Sequence, residues 1–223
     1  MKSASKKIIS NQSDVHENLV SVVKKHLESE FRKPVADHTR RAFDAVCARL
    51  DDAPKRPLIL DACCGAGDSS RALAAQFEDH WVVGIDKSES RIMRERPTLF
   101  RDNLVLMRAD LTDFYRLAVA AGWRLARHYV LYPNPYPKSV HLKRRWHASP
   151  VFPDMLKLGG VFEMRSNWRL YLEEFAVALE VAGHTGEVAA FDVPEPLTAF
   201  ERKYRDSGQP LYRLTADLSK VSL

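Results

Sequence analysis

A chain of 223 residues that is 45% hydrophobic has enough apolar material for one core, and folding at this size buries about 70% of the surface an unfolded chain exposes, so no metal or disulfide is required. The cysteines are Cys47 and the adjacent pair Cys63 and Cys64, a spacing that excludes a zinc centre and predicts a reduced, cytoplasmic setting. No window approaches the ~20 apolar residues of a membrane span and Ile8-Ile9 is too short for a signal segment, so a membrane partner is excluded, while a net charge of +5 permits a nucleic-acid one.

In chain order, residues 1 to 13 read as a loose polar lead. Asp14 to Phe31 reads as an amphipathic helix with Val15, Leu19, Val22, Val23, Leu27 and Phe31 on one side. A second helix is expected from Val35 or Ala36 to Leu50, closed by Asp51-Asp52-Ala53-Pro54. These segments form a helical N-terminal extension, residues 1–52, ahead of a main domain, residues 53–223. The period then changes: Pro57 to Asp61, Trp81 to Asp86, Leu104 to Asp110 and Tyr129 to Tyr132 read as short apolar strands. Helical stretches separate them at Ser69 to Phe77, Glu89 to Arg96 and Asp113 to Ala121, with another at Trp146 to Lys157. A fifth strand at Gly159 to Arg165, a helix at Tyr171 to Ala182, and strands at Thr185 to Phe191 and Leu211 to Ala216 complete the chain. Strands alternating with helices predict an α/β fold, a Rossmann-like, doubly wound, mostly parallel sheet of about seven strands with helices on both faces.

In such a sheet ligands collect beyond the carboxyl ends of the strands. Asp61 is followed by Gly65 and Gly67, whose lack of a side chain lets a backbone turn approach a ligand closely. Asp86 ends the second strand, where a carboxylate can accept from both hydroxyls of a ribose, and Asp110 ends the third, where it can receive the amino group of an adenine. The first turn lacks the third glycine of the pyrophosphate fingerprint, which disfavours nicotinamide and flavin dinucleotides. Each acid taken singly can also be a helix cap.

Asp61-Ala-Cys-Cys-Gly-Ala-Gly67 and Gly84-Ile-Asp86 resemble the first two motifs of class I S-adenosylmethionine-dependent methyltransferases. The resemblance implies S-adenosylmethionine as cofactor, with Asp86 on the ribose, Asp110 and Leu111 around the adenine, and the turn from Gly65 to Gly67 beneath the methionine moiety. Asp61, Lys87 and Asn134 complete that candidate set. Cys63 and Cys64 are expected to pack beside the cofactor.

Substrate class is carried by Tyr132 to His147, where Lys138, Lys143, Arg144 and Arg145 accompany His141 and His147 with no acid among them. That is the local footprint of phosphate binding, although a solvated helix face would look similar. Tyr132-Pro-Asn-Pro-Tyr-Pro-Lys138 with His141, Lys143, Arg144 and Arg145 is similar to the Pro-Asp-Pro-Trp-Pro-Lys plus His-x-Lys-Arg-Arg block of tRNA (guanine-7-)-methyltransferases, and Thr198-Ala-Phe-Glu201 is similar to their late Thr-x-Phe-Glu motif. The resemblance spans about residues 31 to 216 and implies RNA, and tRNA in particular, as partner. Asn134 then falls at the active-site acid and is the catalytic candidate, while Lys138, His141, Arg144, Asn167, Thr198 and Glu201 are candidates for substrate binding, Glu201 by accepting from the Watson–Crick edge of guanine. No metal is expected.

The departures matter as much. Asn134 and Asn167 stand where the family has aspartates, and Tyr136 replaces its tryptophan. Ring nitrogen 7 of guanine has a free lone pair and needs no deprotonation, so alignment can carry much of the reaction. Asn134-Pro-Tyr136 also resembles the Asn-Pro-Pro-Tyr loop of methyltransferases that modify exocyclic amino groups, with one proline missing. A small-molecule acceptor and a non-catalytic RNA-binding relic of the fold are the remaining readings.

Overall fold

The computed structural model describes residues 5–94 and 101–220. Seven strands form one sheet: β1 (Leu58–Ala62), β2 (Trp81–Asp86), β3 (Leu104–Arg108), β4 (Leu125–Leu131), β5 (Val161–Ser166), β6 (Gly186–Ala190) and β7 (Tyr212–Asp217). Their order is β3-β2-β1-β4-β5-β7-β6, with β1 to β5 mutually parallel and β7 antiparallel to both of its neighbours. This is the Rossmann-like, mostly parallel sheet of seven strands that the alternating pattern predicts, and β7 makes its antiparallel end. Because β1 leads outward to β2 and β3, and the chain then returns to β4 on the other side, the crevice between β1 and β4 is where a ligand site opens.

The helices are α1 (Leu19–Glu28), α2 (Asp37–Asp51), α3 (Asp68–Gln76), α4 (Glu89–Ile92), α5 (Leu111–Ala120), α6 (Phe152–Lys157), α7 (Arg169–Val181) and α8 (Ala199–Asp206). Successive strand side chains point to opposite faces. Leu60, Ala62, Val83 and Ile85 accordingly join the larger core, and Ile59, Val82, Tyr129 and Leu131 join a smaller one across the sheet. Leu19 and Val23 of α1 and Phe43 and Val46 of α2 lie in that larger core. On the other face Gly84 allows α3 to sit close, since a Cβ there would meet the Ser70 hydroxyl at 2.3 Å. None of the described helices is long and apolar enough to cross a membrane.

Five expectations need correction. The first helix begins at Leu19, not Asp14, because the His16 amide donates to Glu174 (3.0 Å) and draws the preceding chain toward α7. Part of the polar lead is likewise held: Ser5, Ser10, Asn11 and Gln12 all hydrogen-bond to distant residues. The helix expected at Trp146 to Lys157 is confined to α6, preceded by short 3-10 turns at Ser139–Arg144 and Trp146–Ala148. Arg145 and Ser149 between them are extended, and Ser149 precedes Pro150, whose ring disfavours a helical residue before it. The motif Thr198 to Glu201 opens a helix, α8, that was not predicted; the Thr198 hydroxyl caps it by accepting from the Glu201 amide at 2.9 Å. Of the helix expected at Glu89 to Arg96 only Glu89–Ile92 forms, as α4, with Met93 and Arg94 beyond its end; residues 95 and 96 lie outside the described residues.

Candidate active site

A cavity of about 790 Å³ opens at the carboxyl ends of β1, β2 and β4 and is walled by Cys63 to Ala66, Asp86 and Lys87, Asp110 to Thr112, Tyr132 to Asn134, Tyr136, Trp146 and Thr198 to Phe200. Five cations line it, Lys87, Arg91, Arg94, Lys143 and Arg144, against the acids Asp68, Asp86 and Asp110. Of the residues expected to hold a cofactor, Gly65, Asp86, Lys87, Asp110, Leu111 and Asn134 meet here.

Each wall has a local cause. Gly67 enters α3 in the left-handed region (φ 76°), and Gly65 (φ 62°) leaves the space beside its Cα open, with nothing within 4 Å of where a Cβ would stand. The Gly65 amide donates to Asp86 Oδ2 (3.0 Å) and the Ser88 amide to Oδ1 (2.8 Å), so the buried Asp86 carboxylate ties the first turn to the second strand. Arg91 stands 3.7 Å from the same group. Asp110 caps α5 through the Thr112 amide at 2.8 Å, so its role as helix cap and its place in the cavity wall coincide.

Asp61 and Gly67 do not reach the cavity wall. Asp61 is fully buried behind it, with Oδ2 accepting from the Ser69 and Ser70 hydroxyls at 2.6 Å and Oδ1 without a partner among the described residues. Burial pushes its pKa up from 3.8 to about 6, Asp86 adds to the rise, and the two hydroxyls oppose it. An acid whose pKa is higher folded than unfolded holds a proton in the folded state that the unfolded chain releases. Stability contributed by Asp61 is therefore full below about pH 4 and is lost as pH rises toward 6. The expected difference is about 3 kcal/mol, at 1.36 kcal/mol per pKa unit. Thermal unfolding followed from pH 4 to 7 should show this loss in the wild type and a flatter profile in Asp61→Asn; identical profiles would dismiss it.

The loop after β4 carries unusual backbone. Among the described residues the only non-glycines with positive φ are Cys63 (63°), Tyr132 (51°) and Tyr136 (46°), and all three line the cavity. Such conformations cost about 1–3 kcal/mol each and persist where surroundings over-determine them. Asn134 is exposed at this loop, its Oδ1 accepting weakly from the Tyr136 amide at 3.4 Å. The Arg144 guanidinium lies 5.8 Å from the centre of the Tyr136 ring. Burial pushes the Cys63 thiol up to about 12 with Asp86 and Asp61 adding to it, and burial raises Cys64 also, so both are protonated thiols that pack and do not attack.

The basic segment divides in two. Lys143 and Arg144 face the cavity, whereas Arg145 and His147 are fully buried and pair with Glu174 of α7. Sequence order alone put all six of these cationic and imidazole groups on one rim. The sign that two belong inside lies in α7, where Glu174 shares the buried stripe of Tyr171, Phe175 and Ala178 and needs an inward partner. Lys138 and His141 lie beyond the cavity wall; partial burial, with Arg144, Lys138 and Arg145 nearby, lowers the His141 pKa.

Two other expected contacts also lie outside the wall. Asn167 donates to Gln209 Oε1 at 2.8 Å. Glu201 is fully buried, and both its oxygens are engaged. Oε1 accepts from the Tyr132 hydroxyl (2.9 Å) and from Arg165 (2.9 Å), and Oε2 from the Leu197 amide (2.7 Å). Burial, and then Glu201, push the Tyr132 pKa up, so its phenol stays a donor. Glu201 thus braces Tyr132 from behind instead of facing a ligand, while Thr198, Ala199 and Phe200 at the start of the same helix reach the cavity. Trp146, which sequence reading offers for stacking on a base or for core packing, reaches the wall, whereas Arg91 and Arg94 are lining residues that motif reading passed over; for them a basic turn after the ribose-type acid was the available signal. Among the described residues no cluster of His, Cys, Asp or Glu could hold a metal ion.

Residues 55–214 match the model of a protein family described as "Putative methyltransferase". Among curated proteins, the tRNA (guanine-N(7)-)-methyltransferase of Shewanella piezotolerans is 31% identical over 84% of this chain and 83% of its own. That of Exiguobacterium sibiricum is 26% identical over 74% of this chain and 83% of its own. Among solved structures, the 16S rRNA methyltransferase KamB superposes with a TM-score of 0.57 at 18% identity, covering 86% of this chain and 96% of that one. The aminoglycoside resistance methyltransferase NpmB1 gives 0.55 at 18% identity, over 78% and 92%. At such identities the structures establish the fold alone.

Proposed function

The chain belongs to the tRNA (guanine-N(7)-)-methyltransferase family, and from that premise we propose that it transfers a methyl group from S-adenosylmethionine to nitrogen 7 of a guanine in tRNA. The observation that carries this reading is the convergence of Asp86, Asp110, Gly65 and the Asn134 loop on one cavity bordered by five cations.

The residues present fit the cofactor. Asp86 offers a buried carboxylate for ribose hydroxyls, Asp110 and Leu111 offer an acceptor and an apolar edge for adenine, and the open side of Gly65 leaves room for a ligand to lie against backbone. When bound, S-adenosylmethionine supplies an electrophilic methyl group on a sulfonium. Lys87 borders the same end, and Asp61 holds the first turn from behind through Ser69 and Ser70. On the acceptor side the Asn134 amide orients the base, and Arg144 and Lys143 hold RNA phosphate at the mouth. Lys138 and His141 extend this contact along the outer rim, and Thr198 borders the base. Asn167 and Glu201 act indirectly, Asn167 through Gln209 and Glu201 by holding Tyr132. Because nitrogen 7 carries a lone pair, no residue has to remove a proton before transfer; orientation is the main task of the protein, and effective alignment can supply ~7–11 kcal/mol.

The neutral Asn134 favours one other acceptor, an exocyclic amino group, whose protons an amide oxygen can accept. Incubating the protein with labelled S-adenosylmethionine and RNA stripped of modifications, then identifying labelled nucleosides by mass spectrometry, separates the two. Labelled 7-methylguanosine is the expected product. An N-methylated amino nucleoside would shift the assignment to the second acceptor, and cofactor binding without labelled RNA would remove RNA as substrate.

A further inference from the structure

The loop from Pro133 to Lys138 contains three prolines, so three of its residues have no N–H to offer and it cannot join a backbone ladder. Its carbonyls must find donors elsewhere. Lys138 takes one from the His141 amide (2.9 Å), and Tyr136 and Pro137 find theirs in one buried side chain and in the start of the chain. Arg145 Nε and Nη2 donate to the Tyr136 carbonyl (3.2 and 3.1 Å), and Nη2 also approaches the Lys138 carbonyl at 3.4 Å. The Ser10 hydroxyl donates to the Pro137 carbonyl at 2.7 Å, and the Ser139 amide donates to Asn11 Oδ1 at 2.9 Å.

Arg145 is itself held on every side. Its Nη1 pairs with Glu174 Oε2, its Nη2 donates to Gln12 Oε1 at 3.0 Å, and its guanidinium lies 4.9 Å from the centre of the Trp168 ring. Glu174 in turn accepts from the Gln12 side-chain amide (2.5 Å) and the His16 backbone amide (3.0 Å), and His147 stands 3.3 Å away. A buried ion pair gives weak net stability because desolvation opposes it, and its best-attested use is to fix one arrangement among several. Here the fixed arrangement includes Tyr136 in the left-handed region, with Asn134 two residues before it. Gln12 contacts both members of the pair, so the N-terminal segment completes the network.

We infer that Ser10, Asn11 and Gln12, together with Arg145 and Glu174, are positioning residues that set the geometry in which the Pro133–Lys138 loop presents Asn134 and Tyr136 to the acceptor. None of the five lines the cavity. The inference rests on the reading of that loop as the acceptor-holding side, and it adds the N-terminal segment to the machinery of methyl transfer.

The test uses the full chain carrying Ser10→Ala and Gln12→Ala together, which leaves the Arg145–Glu174 pair in place. Amide hydrogen exchange at Tyr136, Ser139 and His141, cofactor affinity by calorimetry, and initial rates against tRNA concentration are compared with the wild type. The expected result is exchange at least tenfold faster at those amides, cofactor Kd within twofold, and kcat lowered at least tenfold with KM for tRNA within threefold. A merely structural role would instead move melting temperature and cofactor affinity along with kcat, and that outcome overturns the inference. So does loop exchange within twofold of the wild type, or a loosened loop with unchanged kcat. Should the wild type methylate no tRNA, the acceptor assignment fails separately, and the exchange rates alone decide whether the N-terminal segment holds the loop.

Discussion

Asn134→Asp is expected to raise kcat for methylation at guanine nitrogen 7 by about ten- to a hundredfold, with KM for tRNA and affinity for S-adenosylmethionine within about threefold of the wild type. Methyl transfer to nitrogen 7 turns a neutral base into a cation, so a group that becomes more favourable as this charge grows acts on the transition state and not on binding. A carboxylate does this; an amide offers only a dipole. One well-placed group facing developing charge is worth about 10²–10³ in an enclosed site. Asn134 is exposed at the cavity mouth, where solvent screens the interaction, and this sets the expectation about a factor of ten below that range. The substitution keeps side-chain shape and keeps the acceptor for the Tyr136 amide, now 3.4 Å from Oδ1, so the strained loop loses no partner. Lys143 and Arg144 in the same wall offset the added negative charge in the free protein.

Steady-state kinetics with undermodified tRNA and mass-spectrometric detection of 7-methylguanosine checks the expectation. A fall in rate would mean that the amide itself is used, as it is when an acceptor amino group donates its protons to Asn134, and the guanine reading would then give way to the exocyclic one. Asn134→Ala distinguishes orientation from charge: orientation by the amide predicts a loss of activity in that variant whichever acceptor is correct.

How far the site was legible depended on whether sequence order determines direction in space. Asp86 ends β2 and Asp110 follows the end of β3 by two residues, and the fold delivers the ends of neighbouring parallel strands to one edge, so their meeting followed from the alternation of elements. Glu201 fails the same test. It sits three residues after a helix cap, and a turn of helix separates Thr198, which faces the cavity, from Glu201, which faces Arg165. A motif lists both without saying which points inward. Arg145 and Glu174 were obscured for another reason: one lay in a run of cations that reads as a solvated face, and their partner Gln12 lay in a polar lead with no hydrophobic period to place it. The helix expected across Trp146 to Lys157 was lost to a local cause, the extended backbone of Ser149 ahead of Pro150.

The larger effect on the cofactor side is expected at Asp86. Asp86→Ala should weaken S-adenosylmethionine binding by a hundredfold or more, and Asp86→Asn by about tenfold, both read by calorimetry. Two ribose hydroxyls donating to an ionised acceptor contribute about 1.5–3 kcal/mol each, so removing the carboxylate forfeits roughly 3–6 kcal/mol. The alanine variant also releases the Gly65 and Ser88 amides, which now donate to Oδ2 and Oδ1, and leaves Arg91 without its nearby carboxylate. Part of the lost affinity would therefore come from a first turn no longer held against the end of β2. Asparagine separates these contributions, because its single oxygen can still accept from one of the amides while the charge is gone. A melting temperature that falls by a few degrees in alanine but stays near wild type in asparagine, with affinity reduced in both, would establish that the carboxylate both ties the turn and receives the ribose. Affinity within threefold of wild type in both variants would take the ribose away from the end of β2 and, with it, the assignment of this end of the cavity to the cofactor.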